Sequence, residues 1–135
     1  MAVLNVALTS VDRNVWSGQA SAVIARTVEG DIGILAGHEP YLALLEDGEV
    51  RIDRVEGTPM YVAVHGGFFS VDADEVKILV EYAELGEEID LARAERARDR
   101  AIAAGADDPA EIAALRRAES RIDVAMHHQS LTGRM

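Results

Sequence analysis

The stretch GDIGILAGHEPYLALL, Gly30 to Leu45, decides how the rest of the chain is read. Three glycines, Gly30, Gly33 and Gly37, fall within eight residues, followed by His38-Glu39-Pro40 and the apolar run Tyr41 to Leu45. Glycine takes positive φ without a Cβ clash, so this spacing predicts a tightly folded, irregular connection. Pro40 fixes its own φ and pushes Glu39 toward an extended conformation, which ends the loop before the next strand.

Outward from this stretch, the first ~85 residues read as short strands separated by turn chemistry. Leu4, Val6 and Leu8 alternate with Asn5, Ala7 and Thr9, so three apolar side chains share one face. Trp16-Ser17-Gly18 reads as a turn, and Ala20–Thr27 as a second strand. Val50 and Ile52 alternate with Arg51 and Asp53. Glu56-Gly57 turns the chain into Pro59–Val64, and Asp72-Ala73-Asp74 turns it between Phe68–Val71 and Val76–Val80. Such spacing predicts an antiparallel β-sandwich or barrel and leaves no room for the helices of a doubly wound fold.

Past Glu84 the texture changes. Gly86 breaks the strand pattern, and Glu87-Glu88-Ile89-Asp90 leads into an Ala/Arg/Glu-rich stretch of high helix propensity. Asp90 suits an N-cap, and Leu91, Ala94, Ala97, Ala101 and Ile102 form a stripe of mostly small residues. Gly105 ends that helix. Asp108-Pro109-Ala110-Glu111 then supplies an N-cap, proline at N1 and Glu at N3, with Ile112, Leu115, Ile122 and Met126 following at helical spacing. The expectation is an N-terminal antiparallel β-sandwich over residues 1–85 and a C-terminal α-helical hairpin over 86–135. An alanine seam buries little area, so the hairpin alone is only marginally stable.

Composition narrows the function. The net charge of −11 argues against nonspecific nucleic-acid binding. It is distributed as −9 over residues 1–85, −3 over 86–108 and +1 over 109–135, so only the last segment is positively balanced. There is no cysteine, which excludes disulfides and thiolate metal sites. No apolar run approaches the ~20 residues that span a bilayer, so no direct membrane insertion is expected. The amino terminus MAVLNVALTSVDRN alternates like a strand and is not read as a signal peptide.

Enzyme chemistry finds little support. His65-Gly66-Gly67 is superficially similar to an esterase oxyanion loop, but no G-x-S-x-G accompanies it, and a glycine bulge or tight bend is the better reading. Adjacent side chains on a helix diverge by roughly 100°, so His127 and His128 do not preform a chelate, and no metal site is expected. Neither phosphate-binding glycine motif is present.

With ASAVIARTVEG before it and EVRIDRV after it, the opening stretch resembles the epsilon subunits of F-type, rotary, proton-translocating ATP synthases. The likeness continues through HGGFFSV (His65–Val71) and EEIDLARA (Glu87–Ala94) and covers nearly the whole chain. It implies a noncatalytic central-stalk subunit at the cytoplasmic face of the cell membrane, peripheral to it. The implied partners are the gamma subunit, the rotor c-ring and, through the C-terminal helices, the catalytic beta subunit. A freestanding β-sandwich ligand-binding module with a helical tail is the alternative from another class, and a small hydrolase using His65 is a third.

Three constellations follow. Glu29 and Asp31 flank Gly30, with His38 at the far end of the glycine loop. They suit a basic partner, which the resemblance makes the rotor ring; an ordinary polar hairpin tip is the plainer reading. Ile89-Asp90-Leu91-Ala92-Arg93-Ala94 matches the pattern with which some bacterial epsilon subunits bind ATP. That implies Ile89, Asp90, Arg93 and Ala94 as a site for ATP as a regulatory ligand, with no cofactor required. Capping by Asp90 and an exposed Arg93 explain the same residues without a ligand. Arg116, Arg117 and Arg121 lie on the net-positive second helix, and the resemblance implies that they restrain ATP hydrolysis. The plainer reading pairs them with Glu111, Glu119 and the acids of the first helix.

Overall fold

Alternating burial runs through every early strand and sets the layers. In β1 (Leu4–Ser10), Leu4, Val6 and Leu8 point inward and Asn5 points out. The computed structural model describes residues 2–105 and 108–132. β1 is followed by β2 (Asn14–Thr27), β3 (Gly30–Leu35), β4 (Tyr41–Leu44), β5 (Gly48–Arg54), β6 (Met60–Asp72) and β7 (Glu75–Leu85). A short 3-10 turn, Gly86–Glu88, then leads to α1 (Leu91–Ala104) and α2 (Pro109–Thr132).

Strand pairing makes two layers that share three long strands. In the first layer the start of β2 pairs with β1, β1 with the start of β7, β7 with the end of β6, and β6 with β4. In the second, β3 pairs with the end of β2, then come β5, the start of β6 and the end of β7. Pairing is antiparallel except between β1 and β7, which run parallel from Asn5↔Glu75 to Ser10↔Val80. Phe69, Leu4, Leu8, Ile34, Ile52, Ile78, Val23 and Val62 are fully buried in the core. Each such side chain contributes roughly 1.5–3 kcal/mol relative to exposure.

The crossing from one layer to the other explains His65-Gly66-Gly67. β6 pairs with β5 through Val64 and with β4 from Phe68 onward, so it changes neighbours at these glycines. Gly67 has φ +133°, and a Cβ there would stand 2.1 Å from the Leu79 carbonyl oxygen. The tight bend expected from the sequence is therefore present, and only glycine fits it.

Two turn assignments are overturned. Gly30–Leu35 is not an irregular connection but strand β3, in register with β2 from Ala22↔Leu35 to Thr27↔Gly30. Ile34 is buried while Asp31, Gly33 and Leu35 face out; glycine at an outward position hid the period of two. Positive φ is confined to the ends, at Gly30 and Gly37. Trp16-Ser17-Gly18 lies within β2, opposite Leu8, Ala7 and Val6. The indole folds over Gly18, where a Cβ would come within 2.6 Å of the ring, so this glycine makes room and does not turn the chain.

The helices obey their local signals. Asp90 Oδ1 accepts from the Arg93 backbone N–H at 3.0 Å, Gly105 caps α1 with φ 97°, and Asp108 Oδ1 accepts from the Ala110 N–H at 2.9 Å. The expected polar turn falls partly on residues 106–107, outside the described residues. α1 and α2 pack as a hairpin, and α2 also lies along β5, β6 and the 3-10 turn. This double contact shifts the apolar stripes. Ile102 and Met126 are exposed, whereas Ala118, Ile122, Val124 and Ala125 are buried. On the sandwich side α2 covers the outer face of the second layer, where Ala63 and His65 are buried.

Candidate functional site

The first turn of α1, the end of β7 and the middle of α2 enclose a cleft of about 350 Å³. All four residues of the ATP-type pattern line it: Ile89, Asp90, Arg93 and Ala94. The docking of α2 completes it with Tyr82, Glu84, Glu88, Ala97, Arg100 and Arg121. Arg93 and Arg100 are seven residues apart, which puts both guanidinium groups on one face of α1 about 10 Å apart along its axis. Ala97 lies between them.

The carboxylates of the cleft are already committed. Asp90 caps α1. Glu88 takes both ends of Arg13, at 2.7 and 3.0 Å, and also accepts from the Leu85 N–H at 2.9 Å. The hydrogen bond from Arg13 holds the Glu88 carboxyl below its ordinary range, and Glu88 in turn raises Arg13. Glu84 is bonded to Arg121. The side chains of Arg93 and Arg100 form no hydrogen bond or ion pair among the described residues. A cleft whose acids already hold other donors, and whose Arg93 and Arg100 are unpaired among the described residues, favours an anion that accepts two N–H groups of a planar guanidinium, such as a phosphate. Tyr82 offers a ring at its edge, stacked on His65 with centroids 5.6 Å apart.

Of the ten residues singled out in the sequence, only the four of the ATP pattern and Arg121 meet here. Arg121 was expected as a brake residue, and the cleft role of Tyr82 and Arg100 was not expected at all. The Arg93–Arg100 spacing was visible in the sequence; the approach of Tyr82 and Arg121 depends on how α2 docks.

The other two constellations are rearranged. Glu29 and Asp31 sit at one end of β3 and His38 beyond the other, roughly 20 Å apart by strand rise. They do not form one patch, because the presumed loop is a strand. Asp31 pairs with Arg26 at 3.3 Å, and His38 Nδ1 bonds the Glu39 carbonyl at 2.6 Å. Among the described residues, Arg116, Arg117 and Arg121 show no ion pair with Glu111, Glu119 or the acids of α1. Arg116 approaches Glu46 at 3.6 Å and Arg121 bonds Glu84, both acids of the sandwich. His127 and His128 diverge as expected: His127 bonds Glu49, while His128 lies against Gly86.

On the face opposite the hairpin, Leu44 pairs with Phe68 and Phe68 with Leu79. Leu42, Leu44, Phe68 and Leu79 are exposed at 69, 61, 42 and 43% and form an apolar band.

Residues 3–86 match the family model described as ATP synthase, Delta/Epsilon chain, beta-sandwich domain. The chain belongs to this family. The similarity extends into the helices: it is 49% identical over 121 residues to the ATP synthase epsilon chain of Streptomyces griseus, covering 90% of this chain and 94% of that one. The corresponding protein of Streptomyces coelicolor is 48% identical over 124 residues, covering 92 and 96%. Among solved structures, a chain of the Euglena gracilis mitochondrial ATP synthase OSCP/F1/c-ring assembly superposes with a TM-score of 0.73 at 26% identity, covering 98% of this chain and 83% of that one. A chain of the Tetrahymena thermophila central stalk/c-ring shares the fold, with a TM-score of 0.59 at 17% identity over 93% of this chain and 95% of that one.

Proposed function

We propose that this chain is the epsilon subunit of an ATP synthase central stalk, bridging the gamma subunit and the rotor c-ring and carrying no catalytic step of its own. The observation that carries the reading is the likeness to epsilon chains over nine-tenths of the sequence, hairpin included, on a matching fold. The apolar band of Leu42, Leu44, Phe68 and Leu79 is the gamma-facing surface: it is contiguous, lies on a rigid sheet and is free of the hairpin. Glu29 and Asp31 at the β2–β3 tip are offered to the basic loops of the ring. The subunit then sits peripherally, at the cytoplasmic face of the membrane.

The cleft between hairpin and sandwich takes ATP as a regulatory ligand, with Arg93 and Arg100 on the phosphates. Bound there, ATP bridges α1 and the docked α2 and favours the closed hairpin. Released, α2 frees Arg116, Arg117 and Arg121 to reach the catalytic beta subunit and restrain hydrolysis. A tagged chain purified from detergent-solubilised membranes tests the central role. Recovery of gamma and c subunits supports it; recovery of the tagged chain alone overturns it.

A further inference from the structure

His65 stands on the outer face of β6, 7% exposed, beneath α2. Neither ring nitrogen has a hydrogen-bond partner among the described residues. One ring face is closed by Tyr82. The charged groups around it are Arg117 and Arg121 from α2, Glu84 from β7 and Asp47 from the β4–β5 turn. Both acids are engaged elsewhere, Glu84 by Arg121 and Asp47 by the Gly66 N–H at 2.8 Å. A proton on His65 therefore adds a buried charge beside two arginines and two already engaged acids, on a ring whose nitrogens have no partner among the described residues.

We propose that His65 is a proton-operated latch whose protonation releases α2 from the sandwich. Burial above all, with Arg121 next, holds the docked imidazole below its ordinary range against the opposing pull of Asp47 and Glu84. With α2 away, the ring is exposed and returns toward about 6.5. A group whose docked pKa is depressed stabilises docking fully above the undocked value, and that stability is lost as pH falls below it. Docking thus weakens below about pH 6.5, by at most about tenfold in the opening equilibrium per pH unit for one proton. On the same interface His127 bonds Glu49 and His128 lies against Gly86. The latch concerns this chain's own helix and holds whether or not the chain serves a rotary motor.

The absence of native cysteine allows a clean test on the full chain. Spin labels on Glu56→Cys and Met126→Cys, both exposed, report the sandwich-to-α2 distance between about pH 8 and 5.5, above the range where carboxylates titrate. The separated population should grow as pH falls in the parent chain, and most of that growth should be lost in His65→Gln. A distance distribution unchanged with pH in the parent chain, or the same pH dependence in His65→Gln, overturns the latch. Should His65→Gln fold poorly, the imidazole carbon shifts of His65 in the unlabelled parent decide. Titration at the ordinary imidazole value while α2 stays docked overturns it; a displaced midpoint accompanied by opening supports it.

Discussion

Arg121, in the middle of α2, bonds Glu84 near the end of β7, and its guanidinium carbon lies 6.0 Å from the ring centre of Tyr82. The pair is only about one-quarter and one-fifth exposed, at 27 and 19% of the side chains. One bond thus ties α2 to the sandwich, closes the arginine-lined cleft and covers the stacked His65–Tyr82 rings.

Breaking that tie should open the hairpin. Arg121→Ala leaves a half-buried carboxylate unpaired, and a lost bond between charged groups costs about 1.5–3 kcal/mol. Hydrogen exchange of α2 amides should accelerate at least tenfold while β1 and β7 amides stay unchanged. Equal protection of α2 in the variant would mean that the tie contributes nothing to docking.

ATP binding should depend on arginines and not on the capping aspartate's charge alone. Arg93→Ala and Arg100→Ala should each weaken ATP about tenfold or more, the equivalent of a charge-assisted phosphate contact. Asp90→Asn, which retains a capping oxygen, should leave α1 intact by circular dichroism. Titration calorimetry at millimolar ATP decides; no binding heat in the parent chain would leave the cleft without a nucleotide.

The apolar band should be an interface and not a stability element. Leu44→Asp with Phe68→Asp changes two exposed side chains, so the thermal midpoint should move little. Co-purification of gamma should fall sharply. Retained gamma would put the docking surface elsewhere.

Removal of α2 should raise ATP hydrolysis by the assembled enzyme. Arg116→Ala, Arg117→Ala and Arg121→Ala together should have part of that effect, and added salt should weaken the brake because exposed charges are screened within ~8–10 Å. Hydrolysis no faster after deletion beyond Gly105 would reduce the tail to a stiffening element.

The parts of this fold legible in the sequence are those determined locally. Leu4, Val6 and Leu8 reveal β1 by alternation, and Asp90, Gly105 and Asp108-Pro109 mark helix ends through bonds within a few residues. Trp16 and Gly18 misled because their roles are set across the sheet by Leu8 and Val6. Gly33 concealed a strand because it occupies an outward position, where no side chain is needed. The stripe on α2 was misplaced because that helix has two partners, and a single amphipathic face accounts for only one. For the same reason, Arg93 was found as part of a motif, whereas Tyr82 and Arg121 join it only through tertiary docking.

The coupling role is the central claim, and one measurement addresses it directly. Membranes stripped of their own epsilon subunit are supplied with this chain, and ATP-driven proton pumping is followed with a pH-sensitive dye. The account predicts that the full chain restores pumping and that the Leu44→Asp, Phe68→Asp variant does not. Pumping that stays uncoupled after addition of the full chain, or is restored equally by that variant, would contradict it.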